Sequence, residues 1–240
     1  MSATDRLPRL REVLARIEKD FLPATLASSF GAEDMVLIDL IAREYPAISV
    51  FTLDTGRLPE ETLELQAEAE KRYGIAVRVF APRPDRVESY VAAHGRDGFY
   101  DSLEARKACC NVRKVEPLGR ALAGHRAWIT GLRREQSPTR AEVREREFDA
   151  AHALFKFSPL SDWSHGDVWR YLREHEVPVN ALHARGFPSI GCEPCTRAIR
   201  AGEDPRAGRW WWEPRDSKEC GLHPGAPAAA PREAGTEHAR

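Results

Sequence analysis

The chain has no hydrophobic run approaching the roughly 20 residues that cross a bilayer, so no membrane span is expected. It has no charge of one sign in excess: 36 Lys+Arg stand against 37 Asp+Glu, a net charge of −1. That balance argues against a general nucleic-acid binder, which carries a basic surplus or a basic face. Its opening, MSATDRLPRLREV, holds no apolar core of the kind a secretory signal needs, and the expected compartment is the cytoplasm. There is no internal repeat, and no G-K-[ST] follows the first glycine turn, which excludes a Walker A loop there. Cysteine is scarce and odd in number, five in 240 residues, so a disulfide scaffold is not expected.

What is present is an alternation of short apolar runs with amphipathic ones. Leu7, Leu10, Val13, Leu14 and Ile17 have helical spacing within residues 5–20. Residues 24–30, 47–53, 75–80 and 127–131 read as strands. Helices are expected from Met35 to about Arg43, from Pro59 to about Arg72, and over 164–175 with Ser164 as its cap. Strands and helices in this order predict β-α-β units and a mostly parallel sheet. Residues 178–209, rich in Pro, Gly and Cys, read as an ordered loop region. From 225 to 240 the composition is Ala, Pro, Gly and Glu with no larger aliphatic residue, which predicts a disordered tail behind a single domain over 1–224.

Ligands of open α/β sheets bind at the carboxyl ends of strands. Two turns fall there: Ser28-Ser29-Phe30-Gly31 before the second helix, and Leu53-Asp54-Thr55-Gly56 after the second strand. A helix N-terminus behind Ser and Gly suits phosphate or sulfate, although each turn alone is equally a plain strand-ending turn. Cys109-Cys110 and Cys192-Glu193-Pro194-Cys195 supply four thiols for a metal, with zinc and an iron–sulfur cluster both open on spacing. A redox dithiol is a further use of C-x-x-C. Cys220, between Lys218 and His223, has neighbours that favour a nucleophilic thiolate. Arg133, Arg134, Arg206 and Arg209 can meet oxyanions bidentately. Trp210, Trp211 and Trp212 together suggest a packed or partner-facing surface.

These stretches together, with Lys107–Leu118, FSPLSDWSHGD at 157–167 and the ECGLH ending at 219–223, resemble the assimilatory adenylyl-sulfate reductases. These form the cluster-bearing branch of the phosphoadenylyl-sulfate reductase family. The resemblance spans about residues 25 to 223. It implies a doubly wound, adenine-nucleotide α-hydrolase-like α/β fold with a mobile C-terminal catalytic segment at about 210–224. It implies a [4Fe-4S] cluster on Cys109, Cys110, Cys192 and Cys195, and Cys220 as the nucleophile, aided by His223 and Lys114. Adenylyl sulfate would be bound by Ser28, Ser29, Phe30, Leu53, Thr55, Arg134, Arg206 and Arg209. The products would be sulfite and AMP, with thioredoxin as electron donor, on the route from sulfate to cysteine. Homo-oligomers are compatible with the resemblance. Reduction of the 3′-phosphorylated nucleotide is the alternative activity. ATP-dependent adenylyl transfer and a zinc-stabilised binding module are the alternatives outside the family.

Overall fold

The computed structural model describes residues 3–214. Cys220, His223 and the tail expected over 225–240 therefore lie outside the described residues. Six strands form one sheet: β1 (Ala24–Ser28), β2 (Ser49–Leu53), β3 (Val77–Phe80), β4 (Ala127–Ile129), β5 (Arg146–Asp149) and β6 (Leu154–Phe157), in the order β3-β2-β1-β4-β6-β5. All neighbours pair in parallel except β5, which runs antiparallel to β6 at one edge. The chain winds outward from β1 to β3, then returns to β4 and winds the other way, so the order reverses between β1 and β4. That reversal opens a crevice at the carboxyl ends of these two strands.

Helices cover both faces. On one side α1 (Ala3–Asp20) buries Leu10, Val13, Leu14 and Ile17, with α2 (Ala32–Glu44) and α7 (His165–Glu174) beside it. Each such aliphatic side chain contributes about 1.5–3 kcal/mol relative to exposure. α3 (Glu60–Tyr73) adds Leu65 and Ala69 to the same core. Asp39, fully buried on α2, accepts from Tyr73 Oη at 2.9 Å and Tyr171 Oη at 2.7 Å, tying α2, α3 and α7 together behind the crevice. On the other side α6 (Glu116–Leu122) packs Leu118 and Leu122 against Phe51 and Trp128. α4 (Pro84–His94) and α5 (Leu103–Cys110) complete the layer.

The expected elements form, with shifted ends. β1 stops at Ser28 rather than residue 30, because Phe30 takes a left-handed φ of 58° that no strand accepts. α2 consequently starts at Ala32, three residues before Met35. Ser164 caps α7 as expected: its Oγ accepts from Asp167 N while Asp167 Oδ2 accepts from Ser164 N at 2.9 Å. Sequence reading missed α4, α5, β5 and β6. It also missed a π-helical turn, Asn111–Val115, that follows Cys110 directly.

Candidate active site

A cavity of about 800 Å³ occupies the crevice. Ser28 and Ser29 line it from the end of β1, Leu53 and Thr55 from the end of β2, and Thr130 and Gly131 from the end of β4. Ser29 donates through both N and Oγ to Asp34 Oδ2, at 2.7 and 2.8 Å, which fixes the turn onto the first turn of α2. Burial pushes the Asp34 carboxyl up to about 6, against the pull of those hydrogen bonds. The strands meet α2 closely here: a Cβ on Gly131 would lie 2.5 Å from Asp34 Oδ1 and 2.9 Å from Glu33 Cβ. Phe30, expected against the ligand, instead points into the core and is 1% exposed. Its left-handed backbone, with its N donating to Ser28 Oγ at 3.1 Å, turns the ring inward.

Lys114, Arg133, Arg140, Arg206 and Arg209 bring positive charge to the cavity wall. Arg134, named from the sequence, does not line it. Its guanidinium turns outward to Asp162 and the Val143 carbonyl. Arg133 is the buried one, held by Glu33 at 2.8 Å and Glu135 at 3.0 Å. Arg209 is also buried, and donates to the Ile190 carbonyl at 2.8 Å. A Cβ on Gly191 would lie 2.2 Å from its guanidinium, so glycine is what lets the arginine in.

Beside this cavity lies a smaller one lined by all four cysteines of the two pairs. Cys109 and Cys110 end α5; Cys192 and Cys195 bracket a 3-10 turn, Glu193–Cys195. None of the four forms a disulfide, and all but Cys110 are buried. Adjacent cysteines diverge on most backbones. Here they sit where α5 widens into the π-helical turn, and both face one space. That turn also aims Arg113 at the Thr55 carbonyl, 2.7 Å away. Thr55 Oγ1 lies 3.2 Å from Cys192 Sγ. Burial pushes the Cys109 thiol up, with Arg113 opposing, and burial beside Cys192 pushes Cys195 up to about 12. Arg57, Arg106, Arg113, Lys114 and Arg209 surround the thiols. Among the described residues no three Cys, His, Asp or Glu side chains close on one metal-ion position.

The two cavities share a wall: Lys114, Arg209 and Trp210 line both. Of the tryptophan run, Trp210 is buried at 1% exposure, with N donating to the Cys195 carbonyl at 3.2 Å, whereas Trp211 is 40% exposed. Trp212 packs on Tyr100 with ring centroids 4.4 Å apart. Sequence reading missed Arg140 and Arg57 as site residues, whereas Arg113 is one of the basic residues that the sequence places around Cys109 and Cys110.

Residues 23–198 match the family described as the phosphoadenosine phosphosulfate reductase domain. The adenosine 5'-phosphosulfate reductase of Allochromatium vinosum is 56% identical, over 95% of this chain and 93% of its own. That of Burkholderia cepacia is 54% identical over 97% and 94%, and that of Neisseria meningitidis serogroup B 52% over 91% and 89%. Among solved structures, phosphoadenylyl-sulfate reductase from Candida auris, in a phosphate complex, superposes with a TM-score of 0.68 at 25% identity, covering 79% of this chain and 90% of that one. The FMN adenylyltransferase of Candida glabrata shares the fold at 15% identity, with a TM-score of 0.57 over 98% and 80%.

Proposed function

The chain belongs to the phosphoadenosine phosphosulfate reductase family, and from that premise we propose how it reduces adenylyl sulfate to sulfite and AMP in sulfate assimilation. It is an oxidoreductase acting on sulfur. The Cys220 thiolate attacks the sulfur of adenylyl sulfate. The S–O bond to the phosphate breaks, AMP leaves with the bonding pair, and Cys220 carries a sulfo group as a thiosulfonate. A thiolate of reduced thioredoxin attacks Cys220 Sγ, sulfite leaves, and the second thioredoxin thiol resolves the mixed disulfide. Thioredoxin ends oxidised and Cys220 returns as a thiol.

The observation that carries this reading is the wall shared by Lys114 and Arg209. A leaving phosphate needs its charge met where it develops. Lys114, Arg206 and Arg209 stand at the carboxyl end of the sheet for that task. Ser28, Ser29, Leu53 and Thr55 shape the nucleotide end, and His223 orients Cys220.

Cys109, Cys110, Cys192 and Cys195 would hold the [4Fe-4S] cluster. The donor set fits one. The thiols share a space without closing on one point, whereas tetrahedral zinc draws four ligands within about 2.3 Å of a single ion. Trp210 Nε1 and Arg209 Nε are buried with no acceptor among the described residues, as donors toward cluster sulfur would be. When bound, the cluster supplies negative charge and a covalent cross-link beside the cation row.

An anaerobic assay of sulfite release from adenylyl sulfate and from its 3′-phosphorylated form, with thioredoxin, tests the reading. We expect a far higher kcat/KM for adenylyl sulfate, a sulfo adduct on Cys220 by mass spectrometry, and about four iron and four sulfide per chain. A Cys220→Ser protein that turns over normally would overturn the nucleophile. A colourless, zinc-loaded and fully active protein would overturn the cluster.

A further inference from the structure

The ion pair between Arg106 and Glu213 is almost wholly buried, with side-chain exposures of 1% and 5%. It is bidentate: Arg106 Nε donates to Glu213 Oε1 at 2.8 Å and a terminal nitrogen to Oε2 at 2.9 Å. Removing two charges from water is costly, and apolar side chains of the same volume commonly stabilise a fold as well or better. The carboxylate also offsets the guanidinium charge, so the pair brings little net charge to the thiols. What it brings is a fixed direction for the remaining N–H groups of the planar guanidinium.

Those groups meet Cys110. Arg106 and Cys110 are four positions apart on α5, which sets both side chains on one face of the helix. Cys109 points about 100° away around the axis, yet both thiols line the same small cavity. Of the four thiols there, Cys110 alone is not fully buried, so packing fixes it least. Glu213 approaches from the other cysteine pair. Its N donates to the Trp210 carbonyl at 2.8 Å, Trp210 N donates to the Cys195 carbonyl at 3.2 Å, and Thr196 forms an antiparallel bridge with Arg209. The C-x-x-C turn and residues 209–213 are thus one hydrogen-bonded unit, and Arg106 stacks on its Trp210 ring, 4.7 Å from the centroid. One guanidinium spans both cysteine pairs.

We infer that Arg106 and Glu213 are positioning residues for the metal site: Glu213 holds the Arg106 guanidinium, and Arg106 holds the Cys110 sulfur toward the space it shares with Cys109, Cys192 and Cys195. The inference rests on the reading of these four thiols as ligands of an iron–sulfur cluster. Neither Arg106 nor Glu213 lines the larger cavity, so nucleotide affinity does not depend on the pair.

The test challenges holoenzyme anaerobically with excess iron chelator and follows iron release by the loss of visible absorbance, in wild type and in Glu213→Gln. Resonance Raman spectra of the same samples read the stretching of the bonds between iron and cysteine sulfur, which a role confined to stability would not move. The expected result is iron release faster by roughly 10- to 100-fold and a shifted iron–cysteine band, with AMP affinity within about twofold of wild type. Because Glu213→Gln leaves a buried arginine unpaired, the double variant Arg106→Met with Glu213→Leu is measured beside it. That variant strands no charge, and with a wild-type thermal midpoint it should still release iron as fast as Glu213→Gln. Should it not fold, Arg106→Lys, which keeps the charge and loses the forked geometry, takes its place with the same expectation. Wild-type release rates and an unshifted band in the folded comparison variant overturn the inference even where Glu213→Gln is labile, since a stranded charge then accounts for the loss. If wild-type protein itself holds no iron and sulfide, the cluster reading falls and the inference with it.

Discussion

Thr55 Oγ1 lies 3.2 Å from Cys192 Sγ, while the Thr55 carbonyl accepts from Arg113 at 2.7 Å. One residue just past the end of β2 therefore faces the larger cavity and touches both cysteine-bearing segments, directly on one side and through the Arg113 neighbour of Cys109 on the other. Side chains in a close-packed interior do not deform independently. The turn after β2 and the thiol site consequently form together, and Lys114 and Arg209 lie at the junction of the two cavities.

The two consecutive arginines after β4 should behave oppositely. Arg134 is 42% exposed and pairs with Asp162, also exposed, so Arg134→Ala is expected to leave kcat/KM within about twofold and stability within about 1 kcal/mol. Arg133 is 5% exposed and holds Glu33, itself 18% exposed, at the α2 terminus. Arg133→Ala strands that carboxylate and should cost about 3–5 kcal/mol. Urea unfolding and steady-state kinetics on both variants check this; the reverse ranking would show that the pair has been assigned the wrong way round.

The contrast marks where sequence carries information about this site. The turns after β1 and β2 were legible because Ser, Gly and Asp cluster where alternating patterns place strand ends. Ser164 was legible because a capping residue acts within its own first turn. Arg133 and Arg134 were not separable, because strand alternation ends at Ile129 and nothing local then says which neighbour turns inward. The π-helical turn has no compositional mark, and β5 and β6 carry no continuous apolar run: Arg146-Glu147-Phe148-Asp149 is mostly charged, and Lys156 interrupts Leu154–Phe157. Arg106 and Glu213 are 107 positions apart and meet only through the tertiary fold. Phe30 shows the converse: a hydrophobic residue in the turn after β1 suggests a ligand wall, whereas its left-handed backbone sends the ring into the core.

Asp34 should make stability fall with rising pH. Its folded pKa, raised by burial to about 6, lies above the ordinary carboxyl value, so between about pH 4 and 6 the native state holds more protons than the unfolded one. The carboxylate is thus a penalty that grows through that window and stays constant above it. The shift corresponds to at most roughly 3 kcal/mol. Asp34→Asn keeps an oxygen to accept from Ser29 and removes the titration. Denaturant unfolding of both proteins from pH 4 to 7.5 should show the variant gaining on wild type as pH rises, whereas a constant difference would place the titration elsewhere. Taking the difference cancels carboxylates such as Asp167 and Glu203, whose pKa values are lowered by partners the substitution leaves alone.

Gly131→Ala tests the crevice itself. Ordinarily such a change in an accessible backbone conformation stabilises by about 0.4–1 kcal/mol, since it removes freedom from the unfolded chain. Here the added methyl would sit 2.5 Å from Asp34 Oδ1 and 2.9 Å from Glu33 Cβ. Glu33 is fixed by Arg133 and Asp34 by Ser29, so neither side chain can swing aside without breaking a bond. The end of β4 must instead move away from α2, widening the crevice at the point where the sheet order reverses. Overpacking of this kind costs about 1–3 kcal/mol, and the displaced turns should weaken AMP binding by about tenfold or more while iron content stays constant. Calorimetric titration of AMP, with the urea midpoint measured alongside, separates the two losses. A variant more stable than wild type with unchanged AMP affinity would mean that β4 and α2 do not meet as closely as described, and that the crevice is not what orders the nucleotide turn.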